Sequence, residues 1–259
     1  MSRWDDLDRE LDAWRAARRH ATLWWRDDDA CSDTPALQRL LRIAGENAVP
    51  VAIAAIPATA DATLADAIGA SAHATILQHG YAHANHQPAG ARAAELGDHR
   101  SVAECIVELS KGRLALERRF ATRFKAVLVP PWNRISTKLV AALPSAGLTG
   151  LSCFGPRDTA ASCTGLCQVN THVDLIGWKR DRAFIGVDSA IVRLVGHLSA
   201  RREGSVDAAE ATGVLTHHLV FEPDAWDFVD ALCARTRRHE AVKWLDAHAL
   251  FEAATTRVT

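Results

Sequence analysis

Carboxylates and imidazoles are concentrated in three short stretches of the sequence, and each stretch directly follows an apolar run. They are residues 26–29 (RDDD), residues 79–83 (HGYAH) and residues 216–218 (THH). Two neutral imidazoles and one carboxylate can bind a zinc-like ion and leave a position open for water, while a second carboxylate and a third imidazole can act as general base and general acid. These residue types therefore predict a hydrolytic metal site.

The three aspartates Asp27, Asp28 and Asp29 place like charges side by side. Such a group at the end of a buried strand is costly unless a cation or a shared proton relieves it, so we interpret one aspartate as a metal ligand and its neighbour as the base. Arg26 is suited to orienting a carboxylate through a two-pronged hydrogen bond. The alternative is a solvated turn that caps the next helix.

The histidines His79 and His83 are four residues apart, a spacing that brings two imidazoles to one side of a turn or helix. Gly80 permits a sharp turn directly after the strand. We predict that this pair binds a divalent metal together with one aspartate. Zinc is the preferred ion, and cobalt, nickel and manganese are the alternatives.

The third stretch supplies a candidate acid, because one of His217 and His218 should face the site while the other points away. A histidine there could protonate a leaving group. Between the second and third stretches, Pro131 and Trp132 predict a rigid wall with an aromatic face, which suits a sugar ring.

Length and composition restrict the class of protein. The 259 residues are 48% hydrophobic, enough for one α/β domain over residues 1–259, with an N-terminal helix in residues 1–20. The 30 basic and 31 acidic side chains leave a net charge of −1, which predicts no nucleic-acid partner. No signal-like core and no apolar run of about 18 residues is evident, so we expect a cytoplasmic protein without a membrane span. The sequence leaves its oligomeric state open.

The six cysteines are scattered, and only Cys163 and Cys167 lie close together. No matching pair completes a tetrahedral zinc site, so we expect buried free thiols.

Apolar periodicity alternates between short continuous runs and helical spacing, which is typical of alternating strands and helices. Strands are predicted at 21–25, 49–54, 74–78, 126–129, 148–154, 169–175, 213–216 and 242–245. Helices are predicted at 3–19, 35–48, 60–70, 101–121, 136–146, 189–202 and 224–237, and residues 155–168 are expected to be a loop. We predict an α/β fold with about seven parallel strands closed, or nearly closed, into a (β/α) barrel. An open nucleotide-binding sheet is disfavoured because acidic residues replace the glycine-rich turn after the first strand.

Taken in order, these motifs resemble those of the polysaccharide deacetylases, the NodB-homology group of carbohydrate esterases. The aspartate triplet is similar to the family's first motif, the histidine pair to its second, residues 129–133 (VPPWN) to its third, and residues 214–217 (VLTH) to its last. The resemblance covers residues 26–217. It implies a distorted barrel in which Asp28 is the base, Asp29, His79 and His83 bind the metal, and His217 is the acid.

The resemblance also implies a reaction in which water held by the metal attacks an N-acetyl carbonyl and an amine departs. The aspartate triplet could also be aligned one residue earlier, in which case Asp27 would be the base and Asp28 the metal ligand. Val129 stands where the family has an arginine, and either Arg134 or Arg26 could substitute for it. Asp174 and Trp178 weakly echo the family's fourth motif, an aspartate-tryptophan segment that tunes the acid histidine.

The predicted substrate is a carbohydrate or another small N-acylated molecule, such as a nucleotide-linked sugar, a lipid-linked sugar or a glycan precursor. Two other classes compete with this prediction. One is a metal-dependent amidohydrolase of another barrel family, which would need a pair of histidines on the first strand. The other is a catalytically inactive deacetylase-like barrel that binds a glycan or a protein partner.

Overall fold

The computed structural model describes residues 3–158, 160–179 and 181–253. The helices of this part of the chain are α1 (Arg3–Ala16), α2 (Pro35–Glu46), α3 (Ala62–Ala70), α4 (Val102–Phe120), α5 (Thr137–Val140), α6 (Val187–Glu203), α7 (Pro223–Arg237) and α8 (Ala247–Ala253). None of them is long and apolar enough to cross a membrane. The predicted single domain over residues 1–259 includes residues outside these ranges and stays a prediction.

The strands of the described residues form one ten-stranded sheet. They are β1 (Ala21–Ala30), β2 (Val51–Ala55), β3 (Ala74–His79), β4 (Phe124–Val129), β5 (Gly150–Leu151), β6 (Ala161–Cys163), β7 (Leu166–Gln168), β8 (Val173–Asp174), β9 (Thr212–Thr216) and β10 (Val242–Trp244).

The strand order is β6-β7-β5-β4-β3-β2-β1-β9-β8, and β10 also pairs with β1. Every pairing is parallel except that of β6 with β7. The sheet is curled into a half-barrel, which confirms the predicted α/β fold with a distorted barrel of parallel strands.

The helices begin where the local sequence provides caps. Thr34 accepts a hydrogen bond from the Leu37 amide at 3.0 Å, directly before Pro35. Ser101 and Glu104 form a reciprocal capping box at the start of α4. These caps fix where α2 and α4 begin on the return path to the next strand.

Side chains of β1 alternate between the two faces of the sheet, as an extended backbone requires. Leu23 and Trp25 belong to the large core packed beneath the helices, which also contains Leu11 of α1. Trp24 points the other way, into a smaller cluster inside the curl with Leu77 of β3. The charged residues that follow on β1, Arg26, Asp27 and Asp28, alternate between the same two faces.

Several predicted boundaries were wrong, among them the expected strand at 148–154, which is regular only at Gly150–Leu151. Strand β1 runs on to Ala30 and contains the aspartates, because Asp27 pairs with β2 and β9, and Asp28 and Ala30 pair with β2. The expected loop at 155–168 contains the β6–β7 hairpin, and the expected strand at 169–175 is regular only at Val173–Asp174. The expected helix at 136–146 breaks after Val140 into a short 3-10 turn containing Pro144, which has no amide to donate.

Candidate metal centre and active site

The carboxyl ends of β1, β3 and β9 bring the predicted site residues to one end of the half-barrel. Asp29 Oδ1 lies 3.1 Å from His79 Nε2 and 3.3 Å from His83 Nε2. All three candidate ligand atoms lie within 4.8 Å of one another. The predicted ligand set is thus brought together from two strands and the turn after β3.

The hydrogen bonds of His79 indicate that this group fits a metal ion. Its Nδ1 donates to the Val129 carbonyl oxygen at 2.9 Å, so in the neutral ring Nε2 carries a lone pair. That lone pair faces a carboxylate oxygen of Asp29 at 3.1 Å. Two such acceptor atoms repel each other unless a proton or a cation lies between them. Two imidazoles and one carboxylate are also ligands that zinc commonly binds.

The charges of the three groups agree with a cation site. Burial by itself would raise the pKa of Asp29, but the hydrogen bond and charge of His79 bring it well below its usual value. Burial would lower the pKa of His79, and Asp29 and Asp28 overcome that effect and raise it. Burial and the neighbouring His79 lower the pKa of His83. The cluster therefore favours a single positive charge.

A bulge in β1 explains how Asp29 reaches this position. The register between β1 and β2 shifts between Asp28 and Ala30, and Asp29 has a φ of 79°. Strict alternation would place Asp29 on the same face as Asp27, whereas a bulge re-aims the side chain. The left-handed conformations of Gly80, with a φ of 55°, and of His83, also with a φ of 55°, turn the chain back after β3.

Asp28 lies inside the curl in a two-pronged ion pair with Arg26. The Arg26 Nε and Nη2 atoms donate to the two carboxylate oxygens at 2.9 and 3.0 Å. Arg26 is completely buried and also donates to Ser152 Oγ at 2.8 Å and to Asn133 Oδ1 at 2.7 Å. The guanidinium therefore holds Asp28 in one orientation.

Of the two arginines considered as substitutes at Val129, Arg26 is the one that pairs with Asp28. Arg134 Nη1 donates to the Ala93 carbonyl oxygen at 2.6 Å, and Arg134 does not contact Asp28. Sequence reasoning missed Ser152 and Asn133 as the partners that fix Arg26. The position of Asn133, directly after Trp132, was the one signal available.

Asp27 faces the opposite side of β1 and is fully buried. Its Oδ2 accepts hydrogen bonds from Thr216 Oγ1 at 2.6 Å and from the His218 amide at 3.0 Å, while its Oδ1 pairs with His218 Nδ1. Asp27 and His218 therefore join β1 to the end of β9, away from the Asp29 cluster. This geometry favours the register in which Asp28 and Asp29 face the site.

His217 lies at the end of β9 against the indole of Trp178, with ring centroids 4.7 Å apart in an edge-on arrangement. Trp178 Nε1 donates to Asp174 Oδ2 at 2.8 Å. Burial raises the pKa of Asp174, and the nearby His217 opposes that shift. The segment with Asp174 and Trp178, which has only a weak similarity to the family's fourth motif, thus contacts His217, the candidate acid.

The predicted wall flanks the histidine pair. Trp132 adopts a left-handed backbone with a φ of 56°, and its ring centroid lies 4.4 Å from that of His83. Pro131 is buried beneath it. A separate cavity of about 520 Å³ borders Asp174 and Trp178, and Phe154, Lys179, Asp181 and Arg193 also line it.

A second cluster, His172, His197 and Glu210, has ligand atoms equally close together. His172 Nδ1 accepts a hydrogen bond from the Gly213 amide at 2.9 Å, so the neutral ring carries its proton on Nε2. Nε2 lies 3.3 Å from Glu210 and has no lone pair for a metal. We therefore interpret this cluster as structural.

No protein-family model matches the sequence, and no curated protein matches it significantly. Chains of known structure do match. A protein assigned to the polysaccharide deacetylases from Mycobacterium smegmatis superposes with a TM-score of 0.68 at 17% identity, over 92% of each chain. A family 4 carbohydrate esterase from Streptomyces lividans, solved with acetate, gives a TM-score of 0.55 at 17% identity over 86% of this chain and 90% of its own.

A third match is a pseudoenzyme of the same esterase family, in a mutant form with restored activity. Its TM-score is 0.59 at 15% identity, over 90% of this chain and 68% of its own. Both enzymes and a pseudoenzyme therefore share this architecture. The resemblance noted in the sequence is confirmed at the level of fold, and the chain has the distorted barrel of the polysaccharide deacetylases of carbohydrate esterase family 4.

Proposed function

We propose that the protein is a metal-dependent hydrolase that removes an N-acetyl or related acyl group from a sugar or a glycan precursor. The observation that carries this proposal is the cluster of Asp29, His79 and His83 beside Asp28, which is oriented by Arg26 at 2.9 and 3.0 Å. A ligand set, a fixed carboxylate and an imidazole at one end of a half-barrel are the groups that amide hydrolysis needs.

Asp29, His79 and His83 would hold the divalent metal, with zinc preferred. When bound, the ion supplies Lewis acidity toward the acyl oxygen and makes water easier to deprotonate. Asp28 accepts a proton from the attacking water, and the two hydrogen bonds from Arg26 keep its carboxylate from rotating away. His217 donates a proton to the departing amine nitrogen. The products are a carboxylic acid, such as acetic acid, and a free amine.

The aromatic side chains would bind the substrate. Trp132 packs against His83, and Trp178 packs against His217, so a sugar held between them would lie across the site. The cavity of about 520 Å³ beside Trp178 is within the usual size range for small-ligand pockets. We propose that it receives part of the sugar or its substituent.

Metal content is the first test. We expect about one zinc or similar ion per chain in the purified protein by plasma mass spectrometry. A double variant His79→Ala, His83→Ala should lose it. The matched control is the double variant His172→Gln, His197→Gln, which changes the other histidine cluster and should keep the ion. Equal metal content in all three proteins would contradict the assigned ligand set.

Turnover is the second test. Acetate release would be measured with acetylated monosaccharides, nucleotide-linked sugars and oligosaccharides. Asp28→Asn should lose turnover by a factor of about 100 or more while keeping the metal, because it removes the base and not a ligand. An inactive barrel that binds a glycan or a protein partner would release no acetate from any substrate, and Asp28→Asn would leave its binding unchanged.

A further inference from the structure

The turn between His79 and His83 is held by a carboxylate that belongs to none of the motifs. Glu95 lies in the long loop after β3 and is 0% exposed. Its Oε2 accepts a hydrogen bond from the Tyr81 amide at 3.1 Å, and its Oε1 accepts one from the Ala82 amide at 2.7 Å. Both carboxylate oxygens of this buried side chain therefore accept hydrogen bonds from the backbone of the turn.

Main-chain and amide groups hold the rest of the turn. The Gly80 amide donates to the Val129 carbonyl oxygen at 3.0 Å, and the Tyr81 carbonyl oxygen accepts from the Ala58 amide at 2.9 Å. Gln78 Nε2 donates to the Gly80 carbonyl oxygen at 2.9 Å. Glu95 completes this set, because it supplies acceptors for the two amides that precede His83.

Gly80 is needed for this arrangement for a steric reason. A Cβ at residue 80 would lie 1.9 Å from Glu95 Oε2 and 2.7 Å from the Pro131 ring. The carboxylate thus occupies the space that any side chain at residue 80 would fill. Glu95 can therefore reach the turn only if residue 80 is glycine.

The segment that carries Glu95 is itself fixed. Leu96 forms a parallel bridge with Ile135, and the Ser136 amide donates to the Leu96 carbonyl oxygen at 2.8 Å. On the other side, the His86 amide donates to the Ala94 carbonyl oxygen at 3.1 Å. Glu95 is therefore a rigid support and not a mobile loop residue.

We propose that Glu95 is a positioning residue that holds His83 beside His79 and so sets the affinity of the site for its metal. The inference rests on the proposed function for the identity of the ligands. His83 has a φ of 55°, a conformation that non-glycine residues rarely adopt without support. Without the two hydrogen bonds that Glu95 accepts from the Tyr81 and Ala82 amides, the turn can relax and His83 can leave the cluster.

Glu210 provides a matched control within the same chain. It is 1% exposed and accepts hydrogen bonds from two backbone amides, that of Asn170 at 2.8 Å and that of Arg157 at 3.0 Å. It precedes β9, at the end of the half-barrel opposite the Asp29 cluster. Glu95→Gln and Glu210→Gln therefore make the same chemical change to buried carboxylates that each accept two backbone amides, although Glu210 also lies 3.3 Å from His172 Nε2.

The experiment measures the dissociation constants of Zn²⁺ and Co²⁺ by competition with a chromophoric chelator, together with the Co²⁺ absorption spectrum. Groups that orient metal ligands typically change metal affinity by about 10- to 100-fold, so we expect a loss in that range for Glu95→Gln. Glu210→Gln should bind both metals as the wild type does, although both variants should unfold at lower urea concentration. Gly80→Ala adds a Cβ that would displace the Glu95 carboxylate, so this variant should also bind the metals more weakly.

Unchanged affinity in Glu95→Gln would overturn the inference and leave the proposed function intact. If the wild type bound neither metal, both would be overturned. Should Glu95→Gln fail to fold, Glu95→Asp withdraws the carboxylate by one methylene group and keeps its charge. The same loss of affinity is expected there, and wild-type affinity would contradict the inference.

Discussion

Asp27, Asp28 and Asp29 are adjacent in the chain and have three different sets of partners. Asp27 pairs with His218, Asp28 with Arg26, and Asp29 with His79 and His83. Strand alternation separates the first two, and the bulge redirects the third. Three identical side chains therefore differ in role only because the backbone aims them at different neighbours.

Asp27→Asn should lower stability and leave the metal in place. The amide weakens the ion pair with His218 and puts a donor where Thr216 and the His218 amide need acceptors, a change that typically costs about 1–3 kcal/mol. Urea unfolding and metal content of the same preparation would check this. Asp29→Asn is the comparison and should lose the metal. Retention of the metal in Asp29→Asn together with its loss in Asp28→Asn would favour the alternative register, in which Asp28 is the ligand.

Arg26→Met should be among the most destabilising single changes in the chain. It leaves Asp28 buried without its partner, and breaking a buried pair in this way typically costs about 3–5 kcal/mol. The double variant Arg26→Met, Asp28→Leu should recover much of that loss in urea unfolding while remaining inactive. A double variant no more stable than Arg26→Met would show that the ion pair is not what stabilises this part of the barrel.

Residue types could be predicted from the sequence, but their partners could not. The candidate histidines followed from imidazoles at the end of an apolar run, and the resemblance to the deacetylases selected Asp29 from the three aspartates. The structure places these three side chains together. Choosing between Arg26 and Arg134 required distances, because both lie within motifs and only one reaches Asp28. Glu95 could not be anticipated, since nothing in its local sequence shows that it receives two distant amides.

Helices of this fold contain glycines in two distinct settings. A Cβ at Gly112 of α4 would lie 2.8 Å from Gln78 Nε2 and 2.9 Å from the Pro57 ring, whereas a Cβ at Gly196 of α6 would meet nothing within 4 Å. One glycine allows a helix to approach the sheet closely. The other has no steric reason to be glycine.

The substitution Gly196→Ala should therefore raise the free energy of unfolding by about 0.5–1 kcal/mol, because alanine restricts the unfolded chain and favours the helix. Gly112→Ala should lower it, because Gln78 and Pro57 must move. Thermal and urea unfolding of both variants would check the pair. The same sign of change in the two variants would contradict the packing at one of these helices.

Elements with strong local signals were the ones predicted well. Strand β2 is a continuous apolar run, β3 and β9 each have an apolar centre and end at a histidine or just before one, and α2 and α4 have caps that the sequence shows. The end of β1 was misplaced because charged residues are poor strand signals, and the strand continues through Asp27 and Asp28 only because they pair with neighbouring strands. The β6–β7 hairpin was missed because its polar, glycine-containing sequence acquires strand structure by pairing with β5.

Across the whole molecule, polar residues are buried at both ends of the strands. The metal candidates lie at the carboxyl ends, while His172, His197 and Glu210 lie near the amino end of β9. There the two imidazole rings stack with centroids 3.5 Å apart. Burial, together with the charges of His172 and Arg201, lowers the pKa of His197 to about 3.

Stability should accordingly fall on the acid side of neutrality. Unfolding frees His197 to bind a proton near its ordinary pKa of about 6.5, so below that pH the unfolded state takes up a proton that the folded state does not. The linkage makes stability rise with pH between about pH 3 and 6.5, and the loss at pH 5 is about 2 kcal/mol for this group. The free energy of unfolding, measured with urea, should differ less between pH 5 and pH 7.5 in His197→Gln than in the wild type. Equal differences would contradict the assignment.

The position of the aspartates in the middle of the sheet has a consequence for how such a chain could change during evolution. Asp28 neutralises Arg26 in the interior, and Asp27 joins β1 to β9, so both would be retained for folding even after turnover had been lost. Asp29 and His83 have side chains 29% and 26% exposed and contribute less to the core. A lineage drifting toward inactivity should therefore lose Asp29 or His83 first, and an intact Asp28 would say little about whether a homologue still performs chemistry.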